Sequence, residues 1–83
     1  MHSIIRNTRT NEHHIFKSYK NGEREHIDRE SICQKCDQSD ELQWVNGAKH
    51  LDEYTMRSVA ARKGKEICGV CVSNFYANYK KKR

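Results

Sequence analysis

The sequence predicts a small α+β domain held together by a metal ion. Three observations carry that prediction: a short chain with sparse apolar content, two Cys-x-x-Cys pairs, and hairpin signals that give way to two helical stretches. Of the 83 residues, 35% are hydrophobic and 33% are charged. Ordering a chain of this size costs on the order of 100 kcal/mol of conformational entropy, at about 1.5 kcal/mol per residue. A core this small barely matches that cost, so a disulfide, a metal or a partner is expected to make up the difference.

The N-terminus, MHSIIRNTRTNEHH, has no apolar run, so it reads as neither a signal peptide nor a membrane span. That reading places the chain in an intracellular, reducing compartment, where disulfides are disfavoured. The cysteines then point to a metal. Neither a membrane nor a small-molecule substrate is expected as a partner.

Along the chain, residues 1–14 show no clean period and read as an N-terminal arm with a short strand at Ser3–Arg6. The stretch HIFKSYKNGEREHI, residues 14–27, holds Asn21-Gly22 between two strand-like runs, a strong hairpin signal. A two-residue turn there sets Lys20 opposite Glu23 and Phe16 opposite Ile27, one pair opposite in charge and one apolar. Residues 28–32 form a polar connector. A second Asn-Gly, Asn46-Gly47, joins LQWV to AKHL and predicts a second hairpin. The run LDEYTMRSVAARKG has acids near its start, bases near its end and Gly64 as a stop, which predicts a helix over Asp52–Lys63. In ICGVCVSNFYANYKKKR, Val72, Phe75, Tyr76 and Tyr79 recur at helical spacing, so a C-terminal helix begins in or just after the second Cys pair. The expected division is an N-terminal arm and β-hairpin over 1–32, then a four-cysteine finger with a basic C-terminal tail over 33–83.

The chemistry lies in Cys33-x-x-Cys36 and Cys68-x-x-Cys71. A CxxC turn lets two thiolates converge on one ion, and two such turns fill a tetrahedral Zn2+ shell with no open position. The predicted ligands are therefore Cys33, Cys36, Cys68 and Cys71, around one structural zinc per chain. A redox pair or an iron–sulfur cluster fits less well: the first needs only one CxxC, and cluster spacings are tighter and more irregular. Trp44 is the one tryptophan, and it is expected in the core, packed on the knuckle and the final helix. His13-His14 and His26 read as surface histidines, with a second metal site as the alternative.

CQKCDQSDELQW resembles the first half of a GATA-type zinc finger, in which a CxxC knuckle is followed at this interval by a tryptophan. GKEICGVCVSNFYANYKKKR resembles the second half, where a glycine and an apolar residue, here Gly64 and Ile67, precede a CxxC that opens an aromatic-bearing helix with a basic tail. The resemblance covers residues 31–83. It implies a four-cysteine treble-clef, GATA-like finger with β-hairpins and a C-terminal helix. The chain departs from the family in the long stretch between its Cys pairs, which reads as an inserted helix. It also departs at Val45-Asn46 and Gly69, where the family carries two arginines and an asparagine.

The net charge is +5, and the positive charge gathers in the C-terminal third, ending in Lys80, Lys81, Lys82 and Arg83. A basic patch points to a polyanion. With the resemblance, the expected function is sequence-selective binding of duplex DNA, in a nuclear transcription or chromatin-associated protein and without enzymatic activity. Asn74 and Asn78 on the final helix are the expected base readers, since Asn pairs bidentately with adenine. Arg57, Arg62, Lys63, Lys65 and the tail Lys80–Arg83 are the expected phosphate contacts, joined by Arg6 and Arg9. Two alternatives stand beside this one. The first is a protein-interaction module of a chromatin co-regulator, as in some GATA-type fingers. The second is a treble-clef endonuclease of the HNH type, with His50 as base and Asp52, Asn74 or Asn78 near a hard metal ion.

Overall fold

A computed structural model describes residues 1–81, with side chains described through Ala77. Four strands, β1 (His2–Asn7), β2 (Glu12–Asn21), β3 (Arg24–Ile27) and β4 (Leu42–Trp44), form one antiparallel sheet in the order β3-β2-β1-β4. Two helices follow, α1 (Glu53–Lys63) and α2 (Gly69–Lys81), joined by a single 3-10 turn at Gly64–Glu66.

The short strand expected at Ser3–Arg6 forms as β1, but it lies inside the sheet rather than on a separate arm. β1 pairs with β2 on one side, Ile4 opposite Ile15 and Ile5 opposite His14. On the other side it pairs with β4, Ile5 opposite Trp44 and Asn7 opposite Leu42. Ile4 is 0% and Ile5 2% exposed. Both faces of β1 are buried, so its apolar residues fall as a run rather than in alternation, and the run is too short to stand out. The segments 1–32 and 33–83 thus share one sheet.

The β2–β3 hairpin forms, with its turn displaced. Lys20 lies opposite Glu25 and Asn21 opposite Arg24, so the central turn residues are Gly22 and Glu23. Gly22 takes φ 62, the Gly-first arrangement of a type II′ turn. The partner slips by two positions, which keeps every side chain on its expected face. Ile27 still packs in the cluster that contains Phe16.

Asn46-Gly47 does not reverse the chain into a second hairpin. Ala48 N–H donates to the Val45 carbonyl at 3.1 Å, and Gly47 alone of the two central residues has positive φ, 78. That is a type II turn, whereas a tight hairpin needs a primed type. The chain loops out and then resumes along the same edge of β1. Ile4 N–H donates to the Ala48 carbonyl and His2 N–H to the Leu51 carbonyl, both at 2.9 Å.

The helix over Asp52–Lys63 forms as expected, with Asp52 as its N-cap. The Asp52 carboxylate accepts from Thr55 N–H at 2.7 Å, and Gly64 ends the helix with φ 54 while its N–H donates to the Ala60 carbonyl. Met56, Val59 and Ala60 of α1 join Phe75 of α2 against Ile4 and Ile15, on one face of the sheet. Ile5, Phe16 and Cys36 form a second cluster with Ile27, Leu42 and Trp44. Trp44 is half-buried there, in a cluster that contains no residue of α2.

One edge of β2 is left open by the short β3, and it positions the site. Cys68 N–H donates to the His13 carbonyl at 2.8 Å, Ile32 N–H to Ile15 at 2.9 Å and Asp28 N–H to Lys17 at 2.9 Å. The knuckle and the start of α2 therefore cover the backbone groups of an otherwise exposed edge.

Candidate metal centre

Covering that edge brings four donors together. His14 from β2, Cys33 from the knuckle, Cys68 just before α2 and Cys71 in its first turn place their ligand atoms within 4.8 Å of one another. His14, Cys33 and Cys71 are buried and Cys68 is half-buried. Zinc–sulfur and zinc–nitrogen bonds of usual length imply tetrahedral edges of about 3.6 Å for S···N and about 3.8 Å for S···S. His14 Nδ1 lies 3.4 Å from Cys33 Sγ and 3.6 Å from Cys71 Sγ. The four groups thus fit a single metal ion, with Nδ1 as the imidazole donor.

The surroundings suit ligands that must be deprotonated. Burial pulls the His14 imidazole below its ordinary value, with Glu12 and Asp40 opposing, which favours the neutral ring that a metal ligand must be. Burial pushes Cys33 up, but hydrogen bonds from the Ser31 hydroxyl, the Lys35 N–H and the Cys71 and Cys68 thiols outweigh it, and its thiol falls below the usual value. The Ser31 hydroxyl sits 3.1 Å from Cys33 Sγ. Burial pushes Cys71 well up, with Ile15 N–H opposing and the Cys33 and Cys68 thiols adding to the rise. Ile15 N–H donates to Cys71 Sγ at 3.3 Å. A thiolate at Cys33 raises its neighbour, and a cation bound among them removes that repulsion.

Of the four predicted cysteines, the structure gathers Cys33, Cys68 and Cys71. Cys36 is not in the group. Its backbone carbonyl accepts from Ser31 N–H at 2.7 Å and shapes the knuckle, while its thiol is 2% exposed in the cluster with Ile5 and Phe16. Asn7 Nδ2 lies 3.8 Å from its sulfur. Burial, with the Asp40 carboxylate beside it, pushes that thiol up to about 11, which keeps it neutral. The place in the group is taken by His14, read from sequence as a surface histidine. It is 3% exposed. The signal for it was the HHIF run: a histidine next to two core residues on a strand is carried inside with them. His13 bridges backbone to Ile67, and His26 stacks on Tyr19 with ring centroids 4.6 Å apart. Neither belongs to the group.

The expected nucleic-acid contacts are dispersed. Asn74 is half-buried and its amide donates to the Ile32 carbonyl at 2.8 Å, so this side chain ties α2 to the knuckle. Arg57 lies over the Tyr76 ring at 5.8 Å. Arg62 and Lys65 are exposed and Lys63 is half-buried. Arg6 bonds Asn11 and Gln43, each through its guanidinium. The expectations on Asn78, Lys80, Lys81, Lys82 and Arg83 fall outside the described side chains. His50 sits at the far edge of β1, its Nδ1 3.0 Å from the Ser18 hydroxyl. Among the described residues it belongs to no cluster of three or more metal-competent side chains.

No protein-family model matches the chain, and no curated protein or solved structure matches it. The GATA-type reading therefore rests on the two CxxC motifs and their flanks.

Proposed function

We propose that this chain is a zinc-stapled module that binds duplex DNA chiefly through phosphates. The observation that carries the reading is a division of labour in the sequence. Cys33, Cys68, Cys71, His14 and Asn74 are consumed by the fold, while the cations of the last turn of α1 and the 3-10 turn, Arg62 and Lys65, stay exposed.

Three soft thiolates and one imidazole suit Zn2+. Four protein donors leave no position for water or substrate, so the ion's part is structural. When bound, it would cross-link β2, the knuckle and α2 and neutralise the thiolates. With Asn74 engaged by the Ile32 carbonyl, sequence preference falls to other groups or to duplex shape. The setting in transcription or chromatin follows from the resemblance.

The experiment is a binding titration of the zinc-loaded chain against a random-sequence duplex pool at several salt concentrations. Binding that weakens steadily with salt is expected. Absence of salt-dependent binding would reject the reading in favour of a protein-interaction module. Magnesium- or manganese-dependent cleavage of the pool, lost in His50→Ala, would reject it in favour of the nuclease.

A further inference from the structure

His50 lies outside the metal centre and the cationic surface, and its backbone and ring are both tied to buried serines. Its backbone takes φ 50, in the left-handed region that few residues other than glycine occupy. Its N–H donates to the Ser3 hydroxyl at 2.7 Å. The Ser3 and Ser18 hydroxyls are 2.7 Å apart, and the Ser18 hydroxyl is 3.0 Å from His50 Nδ1. Ser3 is 0% and Ser18 4% exposed.

These contacts have one direction in which every hydroxyl proton finds an acceptor. Ser3 accepts from His50 N–H, so its own proton goes to Ser18. Ser18 then donates to Nδ1, which must carry a lone pair. The reverse direction strands the Ser3 proton without an acceptor in a buried site. The ring starts and ends on His50, and it fixes the neutral imidazole as the Nε2–H tautomer. Nε2 is buried and has no hydrogen-bond partner among the described residues. It faces Glu25 of β3, whose Oε1 is 3.7 Å away. The His50 side chain is only 9% exposed and that of Glu25 28%. The imidazole thus crosses the sheet over Ser3 of β1 and Ser18 of β2 to reach β3, and the two small hydroxyls leave it room.

We propose that His50 is a proton-operated latch: neutral, it closes a hydrogen-bond ring through Ser3 and Ser18, and on gaining a proton at Nδ1 it gives up that ring for an ion pair with Glu25. The added proton occupies the lone pair that accepted from Ser18, so Ser18 must turn from donor to acceptor and one buried hydroxyl proton loses its place. The imidazolium in turn gains the carboxylate. Imidazole is the side chain whose charge change belongs to mild pH, so a comparison of mildly basic with mildly acidic solution tests the exchange. The charged groups around the pair are few. Lys49 Nζ lies 3.5 Å from Glu25 Oε2 and over the Trp44 ring at 5.1 Å, and Lys20 stands opposite Glu25 in the β2–β3 register. Lys49 competes for the carboxylate. Acidification would therefore fasten β3 to the 48–51 segment across the face of the sheet.

Two measurements on the full metal-loaded chain test the latch. Long-range proton–nitrogen NMR at pH 8 should show His50 protonated at Nε2 and bare at Nδ1, and a predominant Nδ1–H tautomer would overturn the ring. A double-mutant cycle of His50→Gln with Glu25→Gln, made in a Lys49→Gln background to remove the competing cation, then reads the coupling as a change in the unfolding constant. The coupling should strengthen by about 2- to 5-fold between pH 8 and pH 5.5, the range of a partly exposed ion pair. Equal coupling at both pH values would overturn the switch even with the tautomer as expected. Ser18→Ala is the milder companion variant: it should leave a mixture of tautomers at pH 8, and a ring still held wholly at Nε2–H would show that the serines do not set it.

Discussion

His14 Nδ1 lies 3.4 Å from Cys33 Sγ, a contact between a sheet strand and a knuckle that the chain order keeps well apart. It makes the metal centre part of the sheet rather than an appendage to it. Ile15, the next residue, sends its N–H to Cys71 and receives Ile32 N–H on its carbonyl. The backbone of β2 and the side chain of His14 thus fix the same two segments. A bound ion would close an arrangement that hydrogen bonds have already begun.

The first prediction separates His14 from Cys36 as the fourth ligand. Native mass spectrometry and cobalt substitution should show one ion per chain in the wild type and in Cys36→Ala, and loss of tight binding in His14→Ala. Cys36→Ala still leaves a small cavity beside Ile5 and Phe16, so a loss of about 1 kcal/mol is expected there. The opposite pattern, with His14→Ala binding normally and Cys36→Ala failing, would restore the four-cysteine set.

The second prediction concerns metal removal. A structural ion of this type contributes on the order of 10 kcal/mol to folding, more than a core of this size holds in reserve. A strong chelator should collapse amide dispersion in the NMR spectrum, and Cys33→Ser or Cys71→Ser should act nearly as severely. The pH dependence has a definite sign. Burial raises the Cys71 thiol, so binding must drive its proton off, while the His14 imidazole is lowered, which favours its neutral form. Apparent affinity should therefore rise with pH, with a slope of at least about one proton, the one Cys71 gives up. An affinity flat from pH 6 to 8 would mean that thiolates are not the donors.

Some of this was legible in the sequence, and the reasons differ element by element. Helix α1 was, because the acids at its start, the bases at its end and Gly64 are local signals that act within a turn of themselves. The start of α2 was, because CxxC spacing and the Val72–Phe75–Tyr76 stripe coincide. The Gly22 turn was legible to within two residues, since faces follow from alternation but register also depends on which turn type the glycine selects. The second Asn-Gly misled, because a type II turn uses the same residues as a hairpin turn and only pairing with β1 decides between them. The strand at Ser3–Arg6 was legible, but its central place and the role of His14 were not: a strand buried on both faces shows no alternation, and a histidine gains its role from segments far along the chain.

The third prediction tests the central place of β1. Ile4 is 0% exposed against Met56, Val59 and Phe75. Ile4→Ala should cost about 2–5 kcal/mol in the metal-loaded chain, measured by chemical denaturation. A dispensable arm would lose less than about 0.5 kcal/mol, as surface substitutions do.

The fourth prediction addresses DNA. If phosphates lead the binding, each neutralised charge steepens the slope of log affinity against log salt by about 0.9 on duplex DNA. Deleting residues 80–83 removes four cations and should flatten that slope by roughly 2 to 4 if two to four of them engage. Arg62→Gln with Lys65→Gln, at exposed positions, should flatten it by up to about 2 without harming the fold. Asn74→Ala should behave differently. Its amide holds the Ile32 carbonyl at 2.8 Å, so the loss should appear as about 1 kcal/mol of stability and leave sequence preference unchanged. Base reading by Asn74 would instead cost about 1–3 kcal/mol at one position of the target and little elsewhere. Salt titrations of the four proteins on two unrelated duplexes distinguish these outcomes. An unchanged slope in both cation variants would remove the tail and the α1 end from the interface.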